Sequence, residues 1–232
     1  MAESSPTPPL ASSRQLLVVT ASDWASTTAT LQRYARDEPN AVWHAYGSPI
    51  KVSLGRAGLA WGSGLHPATG RGQPAKREGD GRAPAGIFAI SALFGEANAG
   101  SPFAQSARLP YLCATGDLKC VDDPASRHYN RVVDQRTVDT VDWNSHEEMR
   151  RTDERYAIGA VIAHNSECRP AAGSCIFLHV WQAEGVPTAG CTAAALAELS
   201  EICLWLDAAA CPLLVQLPAA EYRRYQVAWG LP

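Results

Sequence analysis

An α+β fold, mainly β with peripheral helices, follows from three features of the sequence. Apolar, strand-like runs recur between Gly- and Pro-rich connections: QLLVVTAS (15–22), AVWHAY (41–46), IKVSLG (50–55) and IFAISALFG (87–95). Residues 176–181 alternate as a strand does, with Phe177, His179 and Trp181 on one face and Ile176, Leu178 and Val180 on the other. After Cys191, Leu196, Leu199, Cys203 and Leu206 fall at spacings of three, four and three, the mark of one helix face. The 232 residues are 46% hydrophobic and 19% charged, a globular composition long enough to bury a sizeable core.

Taken in order, residues 1–13 (MAESSPTPPLASS) are Pro/Ser-rich and read as a disordered tail, leaving 14–232 as a single domain with no internal boundary. Residues 15–22 form the first strand, and TTATLQRYARDEP reads as a short helix or loop ended by Pro39. AVWHAY and IKVSLG flank Gly47-Ser48, which predicts a tight hairpin, and GLAWGSG carries the sheet into a Gly-rich connection. Residues 67–86 are loop, rich in Gly, Pro and charge, and 87–95 is the strand leaving it. VDWNSHEEMRR (141–151) reads as a charged helical turn; it lacks the second histidine of a zinc-protease helix.

Several function classes are disfavoured by composition. A net charge of -3 and a pI near 6.1 argue against nucleic acid or an anionic membrane as main partner. No apolar run is long enough to span a bilayer, and no signal peptide is visible at the N-terminus. Seven cysteines point to an oxidising compartment. Cys113–Cys120 and Cys168–Cys175 share a C-x6-C spacing; as disulfides each would close a loop worth about 2.5 kcal/mol in the chain-entropy model. The odd count leaves a thiol free. Cys203 and Cys211 are about 12 Å apart if one helix runs through both, too far to bond, but could close a third loop if the helix ends near Leu206.

The stretch with the strongest chemical signal runs from Cys175 to Asp207. His179 lies on a strand, Thr188-Ala189-Gly190 supplies a sharp turn, and Cys191 is expected to open the following helix. A sulfur at a helix N-terminus meets free N–H groups and a positive dipole end, both of which favour thiolate. The histidine can serve it as base. The N–H groups of Ala189, Gly190 and Cys191 can stabilise the oxyanion that forms when a thiolate attacks a carbonyl. The bland alternative is a buried cysteine beside a core histidine.

A His-bearing strand followed by Thr188-Ala189-Gly190-Cys191 resembles the catalytic core of L,D-transpeptidases of the YkuD type, with their [S/T]-x-G-C signature. KREGDGRAPAGIFAI (76–90) is similar to the family's G-D-x-x-T-P-x-G-x-F segment, and the likeness spans residues 42–94 and 156–217. The resemblance implies the family's sheet fold and a thiol acyltransferase without metal or organic cofactor, acting on peptidoglycan stem peptides. Cys191 is then nucleophile, His179 base, and the Val180 backbone carbonyl orients the imidazole. Thr188, Trp181, Asp80, Arg82 and Tyr129 become the candidate substrate-binding residues. The expected product is a 3-3 cross-link in the periplasm or cell envelope, the chain being exported by a signal absent from this sequence. Protein partners leave no trace. Two departures matter: Thr192-Ala193 stands where the family has Ile/Val-Arg, so Arg82 is the candidate replacement for that carboxylate partner, and the His-to-Cys gap is only twelve residues.

Alternatives remain open: a hydrolase of the same architecture, a transpeptidase making another linkage such as 1-3, or a non-enzymatic envelope binding module. The last draws on residues 160–181, which read as a hairpin. With Cys168 facing Cys175 at its neck, the same register puts His164 opposite His179, a possible Cys2His2 zinc site. Four residues along a strand span about 13 Å, long for one tetrahedral ion.

Overall fold

A computed structural model describes residues 9–67 and 74–232. In chain order its elements are β1 (Gln15–Ala21), β2 (Thr28–Ala35), β3 (His44–Ser53), β4 (Leu59–Trp61), β5 (Ala83–Gly95), α1 (Pro102–Ser106), β6 (Tyr111–Cys113), β7 (Leu118–Val121), β8 (Val132–Asp134) and β9 (His146–Glu148). A 3-10 turn (Glu154–Tyr156) leads to β10 (Ile158–Ile162), β11 (Phe177–Val180), β12 (Thr192–Ala194), α2 (Leu196–Trp205), β13 (Leu213–Pro218) and α3 (Ala219–Trp229).

Eight of these strands close on one another in the order β10-β11-β12-β3-β2-β1-β13-β5 and back to β10. Closure removes sheet edges that would otherwise expose unpaired backbone groups. The tightest economy is at the β12–β3 seam, where Ala193 opposite Ser53 is the one paired position. A separate three-stranded sheet, β8-β7-β9, lies beside β11. β1 reads as a continuous apolar run because it is covered on both faces: Leu16, Leu17, Val18 and Val19 are all buried, and α3 packs against it and β13. α2 packs on β10 and β11 and buries Leu199, Ile202 and Cys203.

Several expectations are corrected. Residues 28–35, expected as helix or loop, form β2: pairing with β1 and β3 on its two sides decides the matter, helped by Thr28, Thr30, Leu31 and Tyr34. The anticipated hairpin at Gly47-Ser48 is instead a bulge within a single strand. The register shifts from Leu31↔Ile50 to Arg33↔Tyr46 around Gly47, whose φ of 66° suits glycine. Residues 146–148 form β9 rather than a helical turn, held against β7 by Lys119–Glu148. Of the expected tail, residues 1–8 lie outside the described residues, whereas Leu10 is buried and Arg36 donates to the Leu10, Ala11 and Ser13 carbonyls. Residues 68–73 of the predicted loop also lie outside; β5 begins earlier than expected, at Ala83.

The cysteines pair differently as well. The disulfide joins Cys120 on β7 to Cys175 just before β11, with Cα atoms 5.9 Å apart, and neither C-x6-C loop is closed. Cys113 sits on β6 against β5, away from β7's partners, so chain spacing misleads where tertiary contact decides. This bridge spans 55 residues and is worth about 4 kcal/mol in the chain-entropy model. Cys203 and Cys211 are both free thiols, the helix between them ending at Trp205.

Cys191 does not open a helix. Thr192–Ala194 runs as β12 alongside β11, and α2 starts only at Leu196, itself 43% exposed. Thr192 explains the local choice: its hydroxyl bonds the Gln216 side chain across the buried interior while its backbone pairs with Leu178. The helix-dipole argument for a thiolate therefore falls.

Candidate active site

β11 alternates as the sequence predicts, but both faces are buried. Ile176, Leu178 and Val180 enter the main apolar core, whereas Phe177 joins a second cluster with Phe94, Tyr156 and Cys191. The parallel register sets Leu178 beside Thr192 and His179 beside Ala193. Cys191 stands just ahead of β12 and packs with Phe177 and Tyr156, and Tyr156 in turn stands against the His179 ring; among the described residues no hydrogen bond joins Cys191 to His179. The TAGC turn crosses from β3 back to β11, pinned by Thr188 N–H to the Leu54 carbonyl and Arg56 N–H to the Thr188 carbonyl.

The histidine is held by one bond. His179 Nδ1 is 2.8 Å from the Val180 carbonyl oxygen; its N–H donates there, which leaves Nε2 as the free acceptor. Burial holds this imidazole down at about 4, so the ring is neutral at pH 7. The Tyr156 ring stands edge-on to it, with centroids 5.3 Å apart, and the Tyr156 hydroxyl donates to Glu147.

Cys191 is 7% exposed. Its sulfur accepts the Phe177 N–H (3.3 Å) and its S–H donates to the Cys175 carbonyl (3.5 Å). Burial pushes the thiol up to about 12; the Glu147 carboxylate adds to this, while the Phe177 N–H and the Lys76 ammonium oppose it. The pair rests as thiol and neutral imidazole, not as thiolate and imidazolium. In such a site a sulfur becomes nucleophilic only as its proton leaves during attack.

The predicted residues fall into two groups. Thr188, Ala189, Gly190 and Cys191 lie together in the turn ahead of β12, and His179 and Val180 lie on the neighbouring β11. Thr188 is the staple of the turn: its hydroxyl donates to the Cys191 carbonyl (2.6 Å) and accepts the Gly190 N–H (3.1 Å). Gly190, an expected oxyanion donor, is thereby engaged. Among the described residues no hydrogen bond is made by the Ala189 or Cys191 N–H, and these remain available. A Cβ at position 190 would meet the Arg82 carbonyl oxygen at 3.1 Å, so glycine lets the 76–82 loop lie against the turn.

That loop does not present Arg82 as expected. Its guanidinium donates to the Leu59 carbonyl (2.9 Å). Asp80 instead pairs with Lys76 (2.7 Å) and accepts the Arg77 and Arg82 N–H groups, ordering the loop. Tyr129 is 2% exposed and donates to Glu78, which braces the wall of the loop. Trp181 is half-buried at the end of β11, its N–H bonded to the Ala194 carbonyl. Three residues beside the site escaped sequence reasoning: Lys76, Tyr156 and Glu147. Lys76 and Asp80 stand four apart and could have been paired on paper; Asp153, which caps the 3-10 turn carrying Tyr156, was a readable signal. Nothing local marks Glu147.

The zinc alternative is not assembled. The hairpin register pairs Gly159, not His164, with His179, and Cys175 is consumed by its disulfide. His164 lies beyond β10, accepting the Ser63 N–H at Nδ1 and donating from Nε2 to the Ala172 carbonyl. Among the described residues no group of three or more His, Cys, Asp or Glu side chains is placed to hold a metal. No helix among them is long and apolar enough to cross a membrane. No protein-family model, curated protein or solved structure matches the chain.

Proposed function

We propose that the chain is a cysteine acyltransferase of the L,D-transpeptidase type, acting on peptidoglycan stem peptides in an oxidising compartment such as the periplasm. The observation that carries this reading is that Cys191 and His179 both gather around Tyr156, Cys191 just ahead of β12 and His179 on the neighbouring β11, with the ring pinned so that Nε2 is the free acceptor. The His-strand and T-x-G-C residues support the substrate class, and the Cys120–Cys175 bridge supports the compartment.

The donor carbonyl docks over the sulfur. As Cys191 attacks, its proton passes to His179 Nε2, and the Ala189 and Cys191 N–H groups receive the oxyanion. The imidazolium then protonates the departing amine of the terminal D-residue, leaving a thioester. An acceptor amine gives its proton to the same nitrogen and takes the acyl group as the C–S bond breaks; the Cys191 sulfur leaves and recovers that proton from the imidazolium, a 3-3 linkage being the expected product. A neutral resting pair suits this course, since charge appears only when substrate is in place. Incubation with a purified disaccharide-tetrapeptide tests it. Cross-linked dimers are the expected product, shortened monomers alone would make the chain a hydrolase, and unchanged substrate would defeat the acyl-transfer reading.

A further inference from the structure

The overturned disulfide expectation has a chemical counterpart. A cavity of about 500 Å3 is lined by the Cys120–Cys175 bridge and also by the free thiol of Cys168, amid Leu112, Val132 and Phe177. The loop carrying Cys168 is folded back on its own end. The buried Asn165 side chain donates to the Arg169 carbonyl (3.0 Å) and the Gly173 carbonyl (3.1 Å), drawing the 168–169 and 173–175 ends together. Cys168 and Cys175 both adopt left-handed backbone, with φ of 54° and 52°, a conformation that non-glycine residues adopt at a cost.

We propose that Cys120, Cys168 and Cys175 form a thiol–disulfide exchange centre in which the bridge moves from Cys120–Cys175 to Cys168–Cys175. The Cys168 thiolate attacks Cys175 Sγ, the new S–S bond forms, the old one breaks, and Cys120 leaves as a thiolate that takes up the proton Cys168 gave up. No oxidant or reductant is consumed.

The exchange trades a tie between two sheets for one within a hairpin loop. Cys120 is on β7, whose neighbour β9 carries Glu147, the partner of Tyr156 beside the site. Moving the bridge therefore unties the small sheet from the barrel next to Cys191, whose S–H bonds the Cys175 carbonyl. This regulatory consequence rests on the acyl-transfer reading, whereas the exchange itself does not.

Disulfide mapping of the full chain tests the exchange separately from catalysis. Dilute oxidised protein is incubated near pH 8, quenched in acid, and digested without reduction. The Cys168–Cys175 peptide should grow at the expense of Cys120–Cys175 while the free-thiol count holds at five. Cys168→Ser should keep the original bridge alone, and Cys120→Ser should oxidise to Cys168–Cys175 and label at Cys191 with iodoacetamide severalfold faster than wild type. A wild-type map that stays at Cys120–Cys175, equal scrambling in Cys168→Ser, or a Cys120→Ser chain that leaves Cys168 and Cys175 reduced would overturn the exchange. Exchange with unchanged Cys191 labelling would overturn the regulatory part alone.

Discussion

Two thiols are buried in this protein, and only one is a candidate nucleophile. Cys203 lies on α2 inside the main apolar core, with its thiol pushed up by burial and nothing else. Cys191 lies in the second cluster with its thiol also pushed up, but here burial acts together with Glu147, Lys76 and the Phe177 N–H. Depth raises both alike. What separates them is polar company, namely two backbone N–H groups without a partner among the described residues, the charges of Glu147 and Lys76, and an oriented imidazole on the next strand. A depressed thiol is thus not required of a cysteine nucleophile whose base can remove the proton during attack.

The sharpest break in that comparison is removal of each sulfur. Cys191→Ser should lower cross-linking on the order of 10³-fold or more, since the thiol acts as a unit with its base. Cys203→Ala should leave turnover near wild type and cost about 1–2 kcal/mol in urea unfolding, the expected price of a small core cavity. Product mass spectra and denaturation curves on the two variants check both. Next, His179→Asn should reduce the acylation rate by about 10²–10⁴-fold, with the thermal midpoint changing far less than the rate.

The histidines sharpen the comparison through pH. His179 and His164 are both held near 4 by burial, against about 6.5 in an unfolded chain. Between those values the unfolded chain binds the extra protons, so stability is fully present above pH 6.5 and falls as pH drops toward 4. The loss is on the order of 3 kcal/mol for each histidine. Urea midpoints at pH 7 and pH 4 should show the fall, and His164→Gln should shed part of it. The smallest effect concerns Glu147. Its negative charge raises the Cys191 thiol, so Glu147→Gln should shift the pH profile of Cys191 alkylation to lower pH and speed labelling near pH 8 severalfold, with Cys203 unaffected.

Legibility followed the range of the interactions. β1, β4, the strand at 87–95, the β10–β11 hairpin and α2 all carry their pattern within a few residues. The strand carrying His179 was readable for the same reason. β2 and β9 were missed because their neighbours in the sheet, not their own sequences, make them strands. The disulfide links residues 55 apart, and the rest of the site arrives from β9, the 3-10 turn and the 76–82 loop, none adjacent to Cys191 in the chain. The helix start was misplaced by five residues because Thr192 found a partner in Gln216 on β13.

The most direct measurement is intact mass after incubation with a carbapenem. Wild type and Cys203→Ala should each gain the mass of one carbapenem, and Cys191→Ser should gain none. An adduct that persists in Cys191→Ser, or a wild-type chain that stays unmodified, would contradict the assignment of the Cys191 sulfur as the nucleophile.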